Sequence, residues 1–149
     1  MIDPTGEQAS RLSALAQDEP VIFINLQRYH DFARYPDGYD SADFPAGVSG
    51  REAYQRYLWH VEESLMPLVG GRMLVAGPVA AVLIGDGAWD DAMIAEFPSI
   101  ADAMRLYELQ GYERAAVHRA AGLAEFQTIV LLQDQMQRMA IQGAWITRV

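Results

Sequence analysis

The chain has 149 residues, of which 51% are hydrophobic and 21% charged, and its net charge is −9 at pH 7. This balance describes one globular domain with its own core, and the acidity argues against nucleic acid or anionic membrane as partners, since phosphate binding needs a basic footprint. Cysteine is absent and all eleven basic side chains are arginine, which removes thiol nucleophiles, disulfides, thiolate metal sites, Schiff-base lysines and the phosphate-gripping lysine of P-loops.

Residues 1–18 place Ala9, Leu12, Leu15 and Ala16 at helical spacing after Pro4, which predicts a short amphipathic helix. The start has neither a basic stretch nor an apolar run. The longest apolar run, Met73 to Ile84, is short for a bilayer and is broken by Gly77 and Pro78. A cytoplasmic protein is the expectation. "PVIFINLQ", Pro20 to Gln27, is β-branched and aromatic and reads as a strand. Residues 28–50 contain two prolines and three glycines and read as a long loop, a feature often tied to function. A helix follows from Arg51 to Leu68, with Tyr54, Tyr57, Leu58, Val61, Leu65 and Leu68 on one stripe, and Gly70-Gly71 stops it. "RMLVAGPVAAVLIG" reads as a long strand bent at Gly77-Pro78, or as two short ones. A turn through "DGAWDD" leads to a strand from Ala92 to Phe97. Ser99 and Asp102 then approximate a capping box before a helix carrying Ile100, Ala103, Met104 and Tyr107. Gly111 interrupts that helix, and the alanine-rich "YERAAVHRAAGL" continues it to Gly122. Phe126 to Gln133 reads as the last clear strand, and the 134–149 tail is a candidate edge strand.

Strand, helix, strand, strand, helix, strand is the α+β, ferredoxin-like βαββαβ order, here with an extra N-terminal helix, and 1–149 reads as one domain with its core at 20–133. Both helices of such a unit cover one face of an antiparallel sheet, so the other face should alternate apolar with polar. It does not: Val21 and Phe23 oppose Ile22, Ile24 and Leu26, and Val79, Ala81 and Leu83 oppose Ala80, Val82 and Ile84. Two apolar faces predict a second copy packed sheet against sheet, a two-fold homodimer.

The motifs "FINLQRYHDFARY", "SGREAYQRY", "GGRMLVAG", "WDDAMIAEFPS" and "GYERAAVHRAAGL" resemble an uncharacterised bacterial family, domain-of-unknown-function family 1330, of the dimeric α/β-barrel superfamily. The likeness runs from the N-terminal helix through Leu132. It implies the ferredoxin-like fold, dimerisation and a small-molecule cavity between sheet and helices, without fixing a reaction. Two positions depart from the family pattern. Phe97 stands where a tyrosine commonly precedes Pro-Ser, and the last strand is more apolar than usual.

Candidate chemistry then rests on a few side chains. On the helix containing "YERAAVHRAAGL", Arg119 shares a broad small-residue face with Tyr112, Ala115, Ala116 and Leu123 and is expected to point inward. There it suits a carboxylate or developing oxyanion, or else forms a structural ion pair with Glu96, Asp90 or a backbone carbonyl. His118 falls on a flank with Arg114, Gly111 and Gly122, either as a proton carrier or as a surface histidine. Asn25 is a polar residue on the Val21–Phe23 face, placed to hold a substrate carbonyl or to bond across the sheet. Tyr57, the other candidate proton carrier, and Tyr54 lie on the buried stripe, where core packing is the alternative. Arg28, Tyr29 and His30 follow a strand end and, with Tyr54, Trp89 and Tyr112, are candidates for a pocket rim, Trp89 being otherwise a packed turn residue. His60 reads as solvated, and the histidines lack ligand spacing, so neither metal nor cofactor is expected. The expected activity is cofactor-independent, monooxygenase- or isomerase-like, on a small organic acid or aromatic; the alternative is a non-catalytic ligand-binding or stress-related protein.

Overall fold

The computed structural model describes residues 1–132, so the candidate edge strand in the tail lies outside the described residues. Strand β1 (Val21–Tyr29) runs through the middle of a four-stranded antiparallel sheet. It is flanked by β3 (Asp91–Phe97) and β4 (Leu123–Leu132), and β2 (Arg72–Pro78) lies beyond β3, giving the order β2-β3-β1-β4. This is the ferredoxin-like arrangement expected from the element order. Alternation in β1 is strict. Val21, Phe23, Asn25 and Gln27 are buried, while Ile22, Ile24 and Leu26 are half-buried on the opposite face.

Helix α1 (Gly6–Ser13) opens on a Thr5 capping box. Helix α2 (Gly50–His60) opens on another, in which Ser49 accepts from the Glu52 amide and Glu52 returns to the Ser49 amide. Its stripe continues through a wide π turn at Val61–Leu65 and a tight 3₁₀ turn at Met66–Val69. Pro67 explains the change of pitch, because its ring would meet the Glu63 carbonyl in a regular α-helix. The change rotates Leu68 outward to 63% exposure, although the 3.6 period places it on the buried stripe. The second helical arm is broken as expected. α3 (Ile100–Arg105) ends in a 3₁₀ turn, and Gly111, at φ 97°, starts α4 (Tyr112–Gly122).

One strand is shorter than its apolar run. β2 pairs with β3 only as far as Pro78 opposite Asp91, and Val79–Ile84 form a loop with Leu83 and Ile84 about 93% and 88% exposed. Pro78 carries no amide to extend the ladder, and the chain beyond it turns back through Gly85 and Gly87, both at positive φ. Residues 79–84 therefore add nothing to the second apolar face. β1, β3, β4 and, through Val75, the paired part of β2 supply it.

The core lies between the inner sheet face and the helices: Val21, Phe23, Met93, Ala95 and Phe97 from the sheet meet Tyr54, Tyr57, Val61, Ile100 and Ala115. α2 and α4 approach closely where Gly50 meets Gly122, a contact open only to residues without a Cβ.

Candidate functional site

The core is not completely filled. A cavity of about 60 Å³ lies between the inner sheet face and the helices. Its polar lining comes from Asn25 on β1, Tyr54 and Tyr57 on α2, Tyr107 at the end of the α3 arm, and Arg119 on α4. Phe23, Met93 and Phe126 make its apolar floor. A larger shallow depression of about 380 Å³ beside Arg72 and Glu96 opens to solvent, and those two charges pair with each other, so it holds no uncommitted polar group comparable to the cavity's.

Arg119 points inward, as its helical face predicts, with its side chain 14% exposed. Its guanidinium lies over the Phe126 ring, 5.0 Å from the centroid. It donates from Nη1 to Asp3 Oδ1 at 3.1 Å and from Nη2 to the Ile2 carbonyl. The ion-pair alternative thus finds its partner in Asp3, not in Glu96, which pairs with Arg72, or Asp90, which accepts the Tyr29 amide. Asp3 itself is 76% exposed, so this pair is weakly held on one side.

The other polar groups are donors. The Asn25 carbonyl accepts from the Thr128 hydroxyl at 2.7 Å, and its NH₂ group has no partner among the described residues. Tyr54 and Tyr57 are 1% and 7% exposed, and burial pushes both phenols far above their ordinary range. Both stay protonated at neutral pH. Tyr57 packs at 5.3 Å from Tyr54 and edge-on to Tyr112, and Tyr112 packs edge-on to Tyr107, so a belt of phenols surrounds the arginine. A cationic guanidinium, two neutral phenols and an amide NH₂ form a lining that suits an acceptor-rich guest.

His118 goes elsewhere. The flank it occupies is not open, because residues 30–49 fold across α4 and leave it 7% exposed. Its Nδ1 lies 2.7 Å from the Tyr35 hydroxyl, which also accepts from Arg56 at 3.0 Å, and Tyr35, Tyr39 and Phe44 close around the ring. His118 thus pins the long loop and does not line the cavity. Burial first, then the charges of Arg56 and His60, hold its pKa below the ordinary 6.5. The unfolded chain therefore binds this proton more readily. The stability it confers is complete above about pH 6.5 and is lost as pH falls toward the folded value. In urea titrations at pH 7.5 and 5.5, the native midpoint should fall on acidification, and the drop should shrink in His118→Gln.

The expected rim is dispersed. Tyr54 lines the cavity, whereas Tyr112 sits behind the lining, packed edge-on to Tyr57 and Tyr107. Tyr29 packs on Tyr54 but commits its hydroxyl to Asp91, at 2.9 Å, and Arg51 joins the same carboxylate. Arg28 pairs with Glu125, His30 lends its backbone to Gly50 and Gly122, and Trp89 packs on Gly87. His60, expected in solvent, is half-buried, with Nε2 unpartnered among the described residues. Tyr107 and Phe126 line the cavity without being expected there, and Gln27 lies just outside the lining, beside Tyr54. Gln27 was findable, since it lies two residues past Asn25 and so shares its face. Asp3 carried no signal, because its contact spans 116 residues of sequence.

Residues 42–133 match the family described as domain of unknown function DUF1330. Two similar solved structures are of one protein. The protein of unknown function RPA0582 from Rhodopseudomonas palustris is 31% identical, with a TM-score of 0.74 over 88% of this chain and 95% of that one. Its methylated form is 30% identical, with a TM-score of 0.76 over 89% and 93%. No curated protein matches the chain.

Proposed function

Because the chain belongs to the DUF1330 family, whose description assigns no reaction, we propose a function from its cavity: it binds a small organic acid, with Arg119 receiving the carboxylate. The observation that carries this reading is the inward guanidinium, whose carboxylate partner Asp3 is mostly solvated and exchangeable. A hydrogen-bonded guanidinium in a low-dielectric pocket favours a planar carboxylate over a neutral guest. Size agrees. At roughly 10–15 Å³ per water position, the cavity takes a guest of about four to six non-hydrogen atoms.

Of the two activities considered, ligand binding has more support than proton abstraction. The buried tyrosines keep their protons, and His118, the one candidate base near neutral pH, faces the Tyr35 loop. A cofactor-independent reaction here would use Tyr57 as a proton donor to an oxyanion fixed by Arg119 and Asn25.

Calorimetric titration with propionate tests the reading. Arg119→Met should weaken binding about tenfold or more, the worth of a charge-assisted hydrogen bond, with a near-native urea midpoint. Asp3→Asn should tighten binding by removing the internal competitor. If both variants instead lose stability together and neither changes binding, the arginine is a structural ion pair.

We also propose that two copies pair through the helix-free sheet face. Ile22, Ile24 and Leu26 on β1 join Ile94 on β3 and Leu131 on β4, all half-buried, with Val75 at 57% and Ile129 at 43% exposure. A contiguous apolar sheet surface of this kind is a common site of association.

A further inference from the structure

We propose that the guest is a 2-oxo acid, with its keto oxygen received by Tyr54 and Asn25; this rests on the reading of Arg119 as the carboxylate anchor. Tyr54 lines the cavity and is 1% exposed, yet its hydroxyl has no hydrogen-bond partner among the described residues. Beside it Gln27, also 1% exposed, has both amide atoms unpartnered among the described residues, lying near the Tyr54 hydroxyl without a well-formed hydrogen bond. Buried polar side chains are almost always satisfied, so adjacent orphans against an empty space mark a missing partner. That partner must accept. The Tyr54 proton is fixed by burial, and Asn25 offers its NH₂ because its carbonyl is held by Thr128. Two donors from different walls, α2 and β1, match the two lone pairs of a carbonyl oxygen. Gln27 then completes the arrangement from behind, its NH₂ turning onto the Tyr54 oxygen while Tyr54 donates forward.

The cavity's size fixes where this second oxygen sits. With about four to six non-hydrogen atoms available and the carboxylate on Arg119, the keto oxygen lies on the carbon next to it.

The test compares pyruvate, lactate and propionate by calorimetry on the full chain and on Tyr54→Phe. Pyruvate should bind the native protein about tenfold or more tightly than propionate, with lactate between them. Tyr54→Phe keeps the ring and the packing, so it should bring pyruvate down to the propionate affinity and leave propionate unchanged. Equal affinity for pyruvate and propionate in the native protein, both sensitive to Arg119→Met, would overturn the 2-oxo assignment and leave the carboxylate site standing. An equal loss for both acids in Tyr54→Phe would assign Tyr54 to cavity shape and likewise overturn it. Binding of none of the three acids would overturn the carboxylate reading together with this one.

Discussion

Gly50→Ala and Gly122→Ala are each expected to destabilise the fold by about 3 kcal/mol or more, a large part of an ordinary domain's stability. A Cβ on Gly50 would lie 2.2 Å from the His30 carbonyl oxygen and 2.7 Å from that of Gly122. A Cβ on Gly122 would lie 2.4 Å from the Gly50 carbonyl oxygen and 2.8 Å from the Tyr54 nitrogen. These neighbours are backbone atoms and cannot swing aside as a side chain would. They are also tied to one another. The His30 amide donates to Gly122 at 2.9 Å, and the Gly50 amide donates to His30 at 3.1 Å. Relief would require breaking this link among the end of β1, the start of α2 and the end of α4. Helix propensity pulls the other way, since alanine is better than glycine inside a helix by about 1 kcal/mol. The steric term wins because so many contacts fall below normal van der Waals distance. Gly47→Ala is the control, because a Cβ there meets nothing within 4 Å and its φ is not in the left-handed region. Urea midpoints of the glycine variants compared with this control check the prediction. A Gly122→Ala midpoint equal to the control's would mean that the two helices part easily.

That junction also shows what the sequence could and could not reveal. The alternation of β1 and the break at Gly111 were legible because each follows from a period or a residue acting locally. So was the inward turn of Arg119, which needs only the 100° step between helical neighbours. The exposure of Leu68 was not legible, because the π turn before Pro67 shifts the phase of the stripe. The end of β2 was misread for a related reason: an apolar run says nothing about whether a partner strand lies beside it. For His118 the helical projection gave the right flank but not what covers that flank. Tyr35 lies 83 residues away, in a loop with no hydrophobic period to announce where it packs. The convergence of Asn25, Tyr57 and Arg119 on one cavity followed from the fold once the sheet order was known, whereas Asp3 on Arg119 is a contact between chain ends that no local pattern encodes.

The native chain is expected to sediment as a particle of two chains, and Ile24→Asp as a single chain. Ile24 stands opposite Ile94 on one side and Ile129 on the other, so three isoleucines form a row across β3, β1 and β4 on the helix-free face. Ion pairs flank this row: Arg72 with Glu96 toward one end of the strands and Arg28 with Glu125 toward the other. An apolar centre bordered by solvated charges is how protein interfaces are commonly built. A carboxylate at the centre would have to be buried unpaired in each copy, and by symmetry the two would approach each other, so association should be lost outright. Folding of the single chain should suffer little, because Ile24 is only half-buried there, unlike Val21 or Phe23 on the inner face. Equal urea midpoints at low protein concentration, where both proteins are single chains, would confirm that separation. A native protein that sediments as one chain, or an Ile24→Asp variant that stays paired, would remove the helix-free face as the interface. The cavity lies on the opposite side of the sheet and is lined by one chain's own sheet and helices. The single-chain variant should therefore keep its propionate affinity, which makes pairing a matter of covering apolar surface and not of completing the site.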